Sequence, residues 1–345
     1  MYNYKYDYFK GVFYMQKTLS LKGRSFLRFV DFSKEEILDL IDIAEKFKTY
    51  KKNGVVHKYL EGKNIALIFE KTSTRTRVAF TIAANDLGMN AEFFNVSDIQ
   101  LSKKESVEDT AIFLGSMFDG IEYRGFSHSV VEQLAEFSGV PVWNGLTDDL
   151  HPTQLLADLL TIKEKLGSIF NAKIVYIGDG RNNVANTWLL GSAMLGLDIR
   201  ICTPDALMPD NKYIVEAHEL AKSSDAKILI SSNIEQCMEG ANVVYTDVWA
   251  SMGEEDIISE RVALLKEYQV NSELMNLSNE ENVYFMHCLP AFHDLNTDFA
   301  VKVKNELGID LSEVTDEVFR SKNSIVFQQA ENRMHTIKAL IYSTL

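Results

Sequence analysis

The sequence predicts an α/β protein of two doubly wound parallel-sheet domains of similar size, and three observations carry that expectation. A chain of 345 residues exceeds what one small core organises and suits two domains of roughly 150 residues each. Short apolar runs of strand length alternate along it with stretches of helical period, the pattern of parallel sheets with helical crossovers. The connections are short, with no repeat at a fixed period and no low-complexity linker.

Composition removes several classes of function. The chain is 46% hydrophobic and 24% charged, ordinary for a soluble globular protein, and it lacks the roughly 18 uninterrupted apolar residues of a membrane span. A net charge of -14 disfavours nucleic acid and anionic membranes as partners, because both demand a basic footprint. Any anion site must therefore be local. Cys202, Cys237 and Cys288 are unevenly spaced and without a CxxC pair, which fits reduced thiols in a cytoplasmic protein.

Residues 1–20 stand apart as an arm of unassigned role. Tyr2, Tyr4, Tyr6 and Tyr8 alternate ahead of Phe9, Phe13, Tyr14 and Met15, and Asp7 with the tyrosines interrupts any signal-peptide core. The segment reads as an added arm, or as a start placed upstream of one at Met15. Ser33 and Glu36 then form a capping box for a helix whose apolar face is Ile37, Leu40, Ile41, Ala44 and Phe47. Residues 64–69 read as a buried strand, and Val78, Ala79, Phe80, Ile82, Ala83 and Ala84 give the next helix an apolar face up to Gly88. Further strands are expected at 91–96, 120–123, 173–177, 198–202, 227–230, 242–245 and 283–286. The domain boundary falls near 149–151, where a turn-rich Asn144-Gly145-Leu146-Thr147-Asp148 precedes a strongly apolar helix.

Between the 64–69 strand and its helix lies Glu70-Lys71-Thr72-Ser73-Thr74-Arg75-Thr76-Arg77. Hydroxyls and guanidiniums at a helix mouth, with Ser73 at or near the N-cap, add to the free amides and positive macrodipole end and favour phosphate. A lone Ser-Thr-Arg would equally suit an ordinary capped helix; two Thr/Arg pairs after a buried strand point to an anion. Other polar groups recur at strand ends, where open α/β sheets bind ligands. Arg124 follows the 120–123 strand, Asp179, Asn182 and Asn183 follow Ile177-Gly178, Asp247 follows 242–245, and His287-Cys288-Leu289-Pro290 follows 283–286. His151-Pro152-Thr153-Gln154 opens a helix, with proline where a missing amide costs little.

Assembled, these residues resemble the aspartate/ornithine carbamoyltransferase family, on its ornithine side, from about Leu21 to Leu345. Ser73-Thr74-Arg75-Thr76-Arg77 and His151-Pro152-Thr153-Gln154 are similar to motifs shared across the family. Asp247-Val248-Trp249-Ala250-Ser251-Met252-Gly253, His287-Cys288-Leu289-Pro290 and Ala330-Glu331-Asn332-Arg333 look like the ornithine enzymes. The resemblance implies a carbamoyl-phosphate-binding domain at 21–149, an ornithine-binding domain at 150–324 joined by a short linker, and a C-terminal helix at 325–345 returning to the first domain. It assigns carbamoyl phosphate to Ser73, Thr74, Arg75, Thr76, Arg124, His151, Pro152, Thr153, Gln154, Cys288, Leu289 and Arg333, with Gln100 arriving from a neighbouring subunit. Around Gln100, Leu101-Ser102 before Lys103-Lys104-Glu105-Ser106 departs from the commoner wording. Asn183, Asp247, Ser251 and Met252 are assigned to ornithine, and Arg124, His151 and Cys288 to catalysis. A homotrimer or a multiple of trimers is implied.

The implied reaction carries the carbamoyl group of carbamoyl phosphate to the δ-amine of L-ornithine, giving citrulline and phosphate in arginine metabolism. It calls for a neutral amine and for donors aimed at an oxygen that becomes negative; no metal, cofactor or covalent intermediate is needed. Gly178-Asp179-Gly180 is half a dinucleotide fingerprint, but Asn183 replaces its last glycine. His287 and His293 lack the close pairing of a zinc site, and adjacency does not make His287 a base for Cys288. The alternatives are a putrescine carbamoyltransferase, which has no use for Ser251-Met252 in an ornithine geometry, and a non-catalytic carbamoyl-phosphate-binding protein, which would not keep Arg124, His151 and the 247–253 loop together. Synthetic or catabolic direction is not encoded in these motifs.

Overall fold

The computed structural model describes residues 5–7, 12–14, 21–95, 97–101, 104–249 and 257–345. In the arm, β1 (Lys5–Asp7) pairs antiparallel with β2 (Val12–Tyr14). Helix α1 (Lys34–Lys52) starts at the expected capping box, Ser33 accepting from the Glu36 amide and Glu36 from the Ser33 amide. The first sheet contains β3 (Asn64–Phe69), β4 (Asn90–Asn95), β5 (Gly120–Arg124) and β6 (Val142–Leu146), with α2 (Arg75–Asp86), α3 (Val107–Met117) and α4 (His128–Phe137) between them. Helix α5 (Pro152–Leu166) leads to the second sheet. That sheet is built from β7 (Lys173–Ile177), α6 (Asn183–Leu195), β8 (Asp198–Cys202), α7 (Asn211–Ser224), β9 (Lys227–Ser231), α8 (Ile234–Met238) and β10 (Val243–Thr246). After α9 (Ile258–Leu265) and α10 (Ser272–Asn276) comes its last strand, β11 (Tyr284–His287), then α11 (Asp298–Leu307), α12 (Asp316–Phe319) and α13 (Val326–Thr344).

Both sheets are parallel, in the orders β4-β3-β5-β6 and β11-β10-β7-β8-β9. In each, the chain starts in the middle, runs to one edge and returns to fill the other side. The direction therefore reverses between β3 and β5 in the first sheet and between β7 and β10 in the second, and such switch points open a crevice at the strands' carboxyl ends. One apolar core joins Phe80 and Trp143 of the first sheet's layers to Leu155, Leu159, Tyr176, Trp188 and Ile337. Ala111, Leu114, Val131 and Leu134 cover the first sheet's outer face, and Cys237, Met238, Leu274 and Phe319 that of the second. Helix α13 packs along α1, α2 and α5. Among the described residues no helix is long and apolar enough to cross a membrane.

The structure corrects several sequence expectations. Residues 144–146 are not a turn but the end of β6, buried except at Leu146. Asn144 is held there by an Nδ2 bond to the Leu27 carbonyl at 3.0 Å, and Gly145 is required by a close approach: a Cβ on it would lie 1.9 Å from Glu122 Oε1. Helix α2 begins at Arg75, three residues before the expected apolar run, with Thr74 at the N-cap. Ser73 is the residue before it, and supplies the capping oxygen by accepting from the Thr76 amide at 3.2 Å. Arg124 and His287 are the last residues of their strands rather than the first beyond them, and the β5–β6 register shifts at Arg124, an irregularity that re-aims a side chain.

Candidate active site

The first switch point assembles around Thr76, whose side chain is fully buried in the first turn of α2. Its Oγ1 accepts from Arg124 NH1 at 3.3 Å and from Arg333 NH2 at 3.0 Å, joining α2, β5 and α13 at one atom. Arg333 also donates to Thr153 Oγ1 at 3.4 Å and faces His151 Nε2 at 3.4 Å. A guanidinium only donates, so His151 Nε2 is the acceptor and the ring proton sits on Nδ1. Burial, then the charges of Arg333 and Arg124, holds the His151 pKa well below the usual histidine value, and the imidazole is neutral. The His151 amide is fixed by Thr187 Oγ1 at 2.8 Å. Burial also lowers the pKa of Arg75, Arg124 and Arg333, the last to about 10, leaving all three cationic at neutral pH. Arg77 departs from the cluster: its guanidinium lies 3.6 Å over the Phe93 ring.

Several buried polar atoms in this crevice have no protein partner: Arg124 Nε, His151 Nδ1, Arg333 Nε and Gln154 Oε1. Three are donors and one an acceptor. Glu122, entirely buried two residues before Arg124, has no partner for either carboxyl oxygen; burial raises its pKa well above the ordinary value against the pull of Arg124 and Arg333.

The second switch point is rich in acceptors. Asp247, following β10, takes Asn182 Nδ2 on Oδ2 at 3.0 Å, and on Oδ1 the Val248 amide at 2.8 Å and the Cys288 thiol at 3.0 Å. Asn183 Nδ2 donates to the Thr147 carbonyl at 2.7 Å, tying α6 to the first half of the chain. Both ring nitrogens of His287 are bonded to groups other than the Cys288 thiol. Its Nδ1 accepts the Leu289 amide at 2.9 Å, so the proton is on Nε2 and donates to buried Glu313 at 3.0 Å; burial lowers the imidazole pKa to about 4. Cys288, its thiol pKa raised by burial and by Asp247, donates to Asp247, and neither nitrogen of the nearby His287 is bonded to it. Asp247, His287 and Cys288 offer ligand atoms within 4.8 Å of one another, as do His293, Asp294 and Asp316. The former set is committed to these bonds, and Arg320 occupies the latter by ion pairs with Asp294 and Asp316 at 3.4 and 2.7 Å.

The structure thus brings together Ser73, Arg75, Thr76, Arg124, His151, Pro152, Thr153, Gln154 and Arg333 on one side and Asn183, Asp247, Cys288 and Leu289 on the other. Thr74 is exposed at the helix mouth. Gln100 and Lys104 are exposed on the loop after β4, where the Gln100 carbonyl accepts the Lys104 amide at 3.1 Å. Ser251 and Met252 lie outside the described residues. Sequence reading missed Glu122, Asp158, Tyr245 and Gln329. Two of them carried a signal: Asp158 is four residues from Gln154 and Gln329 four before Arg333, each on the same helix face.

Residues 24–164 match the carbamoyl-P binding domain of aspartate/ornithine carbamoyltransferase, and residues 171–344 its Asp/Orn binding domain. The chain belongs to the aspartate/ornithine carbamoyltransferase family. It is 60% identical over 326 residues to a catabolic ornithine carbamoyltransferase of Bacillus cereus, covering 94% of this chain and 97% of that one. A catabolic ornithine carbamoyltransferase of Staphylococcus aureus is 56% identical over 331 residues, 96% of this chain and 98% of the relative. Among solved structures, the ornithine carbamoyltransferase of Pyrococcus furiosus superposes with a TM-score of 0.87 at 41% identity, covering 95% of this chain and 98% of that one. The anabolic enzyme of Campylobacter jejuni gives 0.82 at 36% identity, covering 92% and 98%.

Proposed function

We propose that this chain transfers the carbamoyl group of carbamoyl phosphate to the δ-amine of L-ornithine, giving L-citrulline and phosphate. The observation that carries the reading is the polarity of the unpartnered buried atoms. Donors from Arg124 and His151 suit a carbonyl oxygen that becomes negative, and the acceptor Gln154 Oε1 suits the adjoining amino group. Ser73, Thr74, Arg75, Thr76 and Arg124 would hold the phosphate at the mouth of α2. Arg124, neutral His151 Nδ1 and Thr76 would face the carbonyl oxygen, where a single preorganised donor contributes roughly 3 to 4 kcal/mol. Gln154, Arg333 and the Cys288–Leu289 backbone would complete the carbamoyl pocket. Asp247, Asn183, Ser251 and Met252 would bind the amino-acid end of ornithine, with Cys288 donating within that set. In this reading residues 21–149 and 150–324 divide the two substrates, and 325–345 returns Arg333 to the first.

A ring of three chains, with Gln100 reaching a neighbour's site, is supported by the exposure of its loop and by Ile112, Phe113 and Met117 on α3, each more than half exposed. The catabolic relatives support phosphorolysis of citrulline in the cytoplasm as the working direction: a strain lacking the chain should accumulate citrulline, whereas loss of a synthetic enzyme accumulates ornithine. Substrate choice is tested by comparing ornithine, putrescine and aspartate side by side. Ornithine should exceed putrescine in kcat/KM by at least about a hundredfold, because putrescine leaves buried groups unpaired; parity would overturn the assignment.

A further inference from the structure

Asp158, one turn after Gln154 on α5, is fully buried. Its Oδ1 accepts two amides, Gln154 Nε2 at 2.8 Å and Gln329 Nε2 at 2.8 Å. Gln329, from the first turn of α13, also donates to the Tyr245 hydroxyl at 3.0 Å, while its Oε1 accepts the His287 amide at 3.0 Å. A carboxylate oxygen only accepts, so both glutamines must turn their amino groups toward Asp158. For Gln154 the consequence is directional: Oε1 faces away, into the crevice, where it is buried and without a protein partner. We propose that Asp158 is a positioning residue that sets Gln154 Oε1 as the acceptor for the carbamoyl amino group and, through Gln329, links that setting to the end of β11 beside Cys288. The inference rests on the carbamoyl-phosphate reading above.

Asp158 Oδ2 has no protein partner, so a proton can rest there without disturbing either amide. The Asp158→Asn side chain would keep a carbonyl oxygen in place of Oδ1, whereas Asp158→Leu would release the Gln154 amide to rotate. Asp158→Leu should lower kcat/KM for carbamoyl phosphate by roughly 10- to 100-fold, the effect of an acceptor turned from a buried donor. Asp158→Asn should recover most of that loss. Calorimetric affinity for inorganic phosphate should stay within about twofold in both, because the α2 groups are untouched. Equal losses in the two variants, or phosphate affinity falling in parallel, would overturn the proposal.

Should Asp158→Leu not fold, the near-isosteric Gln154→Glu decides. Protonated, the introduced carboxyl donates to Asp158 and keeps an oxygen toward the carbamoyl group; deprotonated, it sets two carboxylates face to face. The groups facing Asp158 besides the two glutamines are Tyr245, whose hydroxyl also hydrogen-bonds the carboxyl, Arg333 and Cys288, and the Gln154→Glu variant leaves all three in place. Its kcat/KM should therefore fall as pH rises, approaching tenfold per unit, where wild type shows no such limb. A Gln154→Glu profile parallel to wild type sinks the inference, whereas absence of wild-type turnover would remove the functional reading itself.

Discussion

The two switch points are opposites in charge and alike in construction. At the first, Arg124 and Arg333 converge on one threonine oxygen, with a neutral histidine against Arg333 and Arg75 opening the same helix as the threonine. At the second, Asp247 collects three donors and the cysteine beside it is protonated. The contrast shows how a chain of net charge -14 concentrates positive charge locally: Arg124 and Arg333 share a neutral hydroxyl, and in the proposed reading the acidic Asp247 stands where an ammonium would bind. Glu122 is the exception, a buried carboxyl amid the arginines that burial drives toward its neutral form.

Mutations can break this division. Arg124→Ala should have the largest effect, lowering kcat/KM for carbamoyl phosphate by roughly a thousandfold, since in the proposed reading one guanidinium would serve both phosphate and the developing oxyanion; steady-state kinetics measure it, and a loss confined to ornithine would reverse the assignment of the sites. Asp247→Asn should cost about a hundredfold with respect to ornithine, as the proposed charge-assisted contact to the α-ammonium would be removed, while calorimetry should find carbamoyl-phosphate affinity unchanged. Thr76→Val should act at the junction, reducing kcat/KM roughly tenfold by leaving two guanidiniums without their shared acceptor. A smaller loss than that of Ser73→Ala would show that the shared oxygen is not central.

The smallest effect concerns stability. A carboxyl whose folded-state pKa is raised contributes stability that is complete below its unfolded value near 4.5 and is lost as pH rises through the folded value. Glu122→Gln should therefore match wild type in acid and gain on it by about 1 kcal/mol toward alkaline pH, read from Tm against pH. An unchanged difference across the range would place a charged Glu122 in the folded protein.

Legibility differed between these regions for physical reasons. The helix mouth at 73–77 was readable because its signals are local: hydroxyls and arginines within one helix turn after an apolar strand need no distant partner to declare themselves. The fold class was readable from periodicity, and the strands fell within a residue or so of their expected limits. Strand β6 was not, because Asn144 and Gly145 have turn propensity and become strand through pairing with β5 and the Phe26–Leu27 segment, both distant in sequence. Arg77, equal to Arg75 in sequence, stacks instead on the Phe93 ring of the neighbouring strand.

By itself, then, the sequence determined two parallel-sheet α/β domains and which short segments place polar groups at strand ends and helix mouths, since alternation of period and capped helix mouths are properties of neighbouring residues. Only the tertiary structure decided the protonation of His151, the outward oxygen of Gln154 and the turning of His287 to Glu313. His151 and His287 depend on partners brought from remote parts of the chain, Arg333 and Glu313, and Gln154 on an Asp158 one turn away that distant Gln329 also engages; burial makes such partners decisive because no water competes for them.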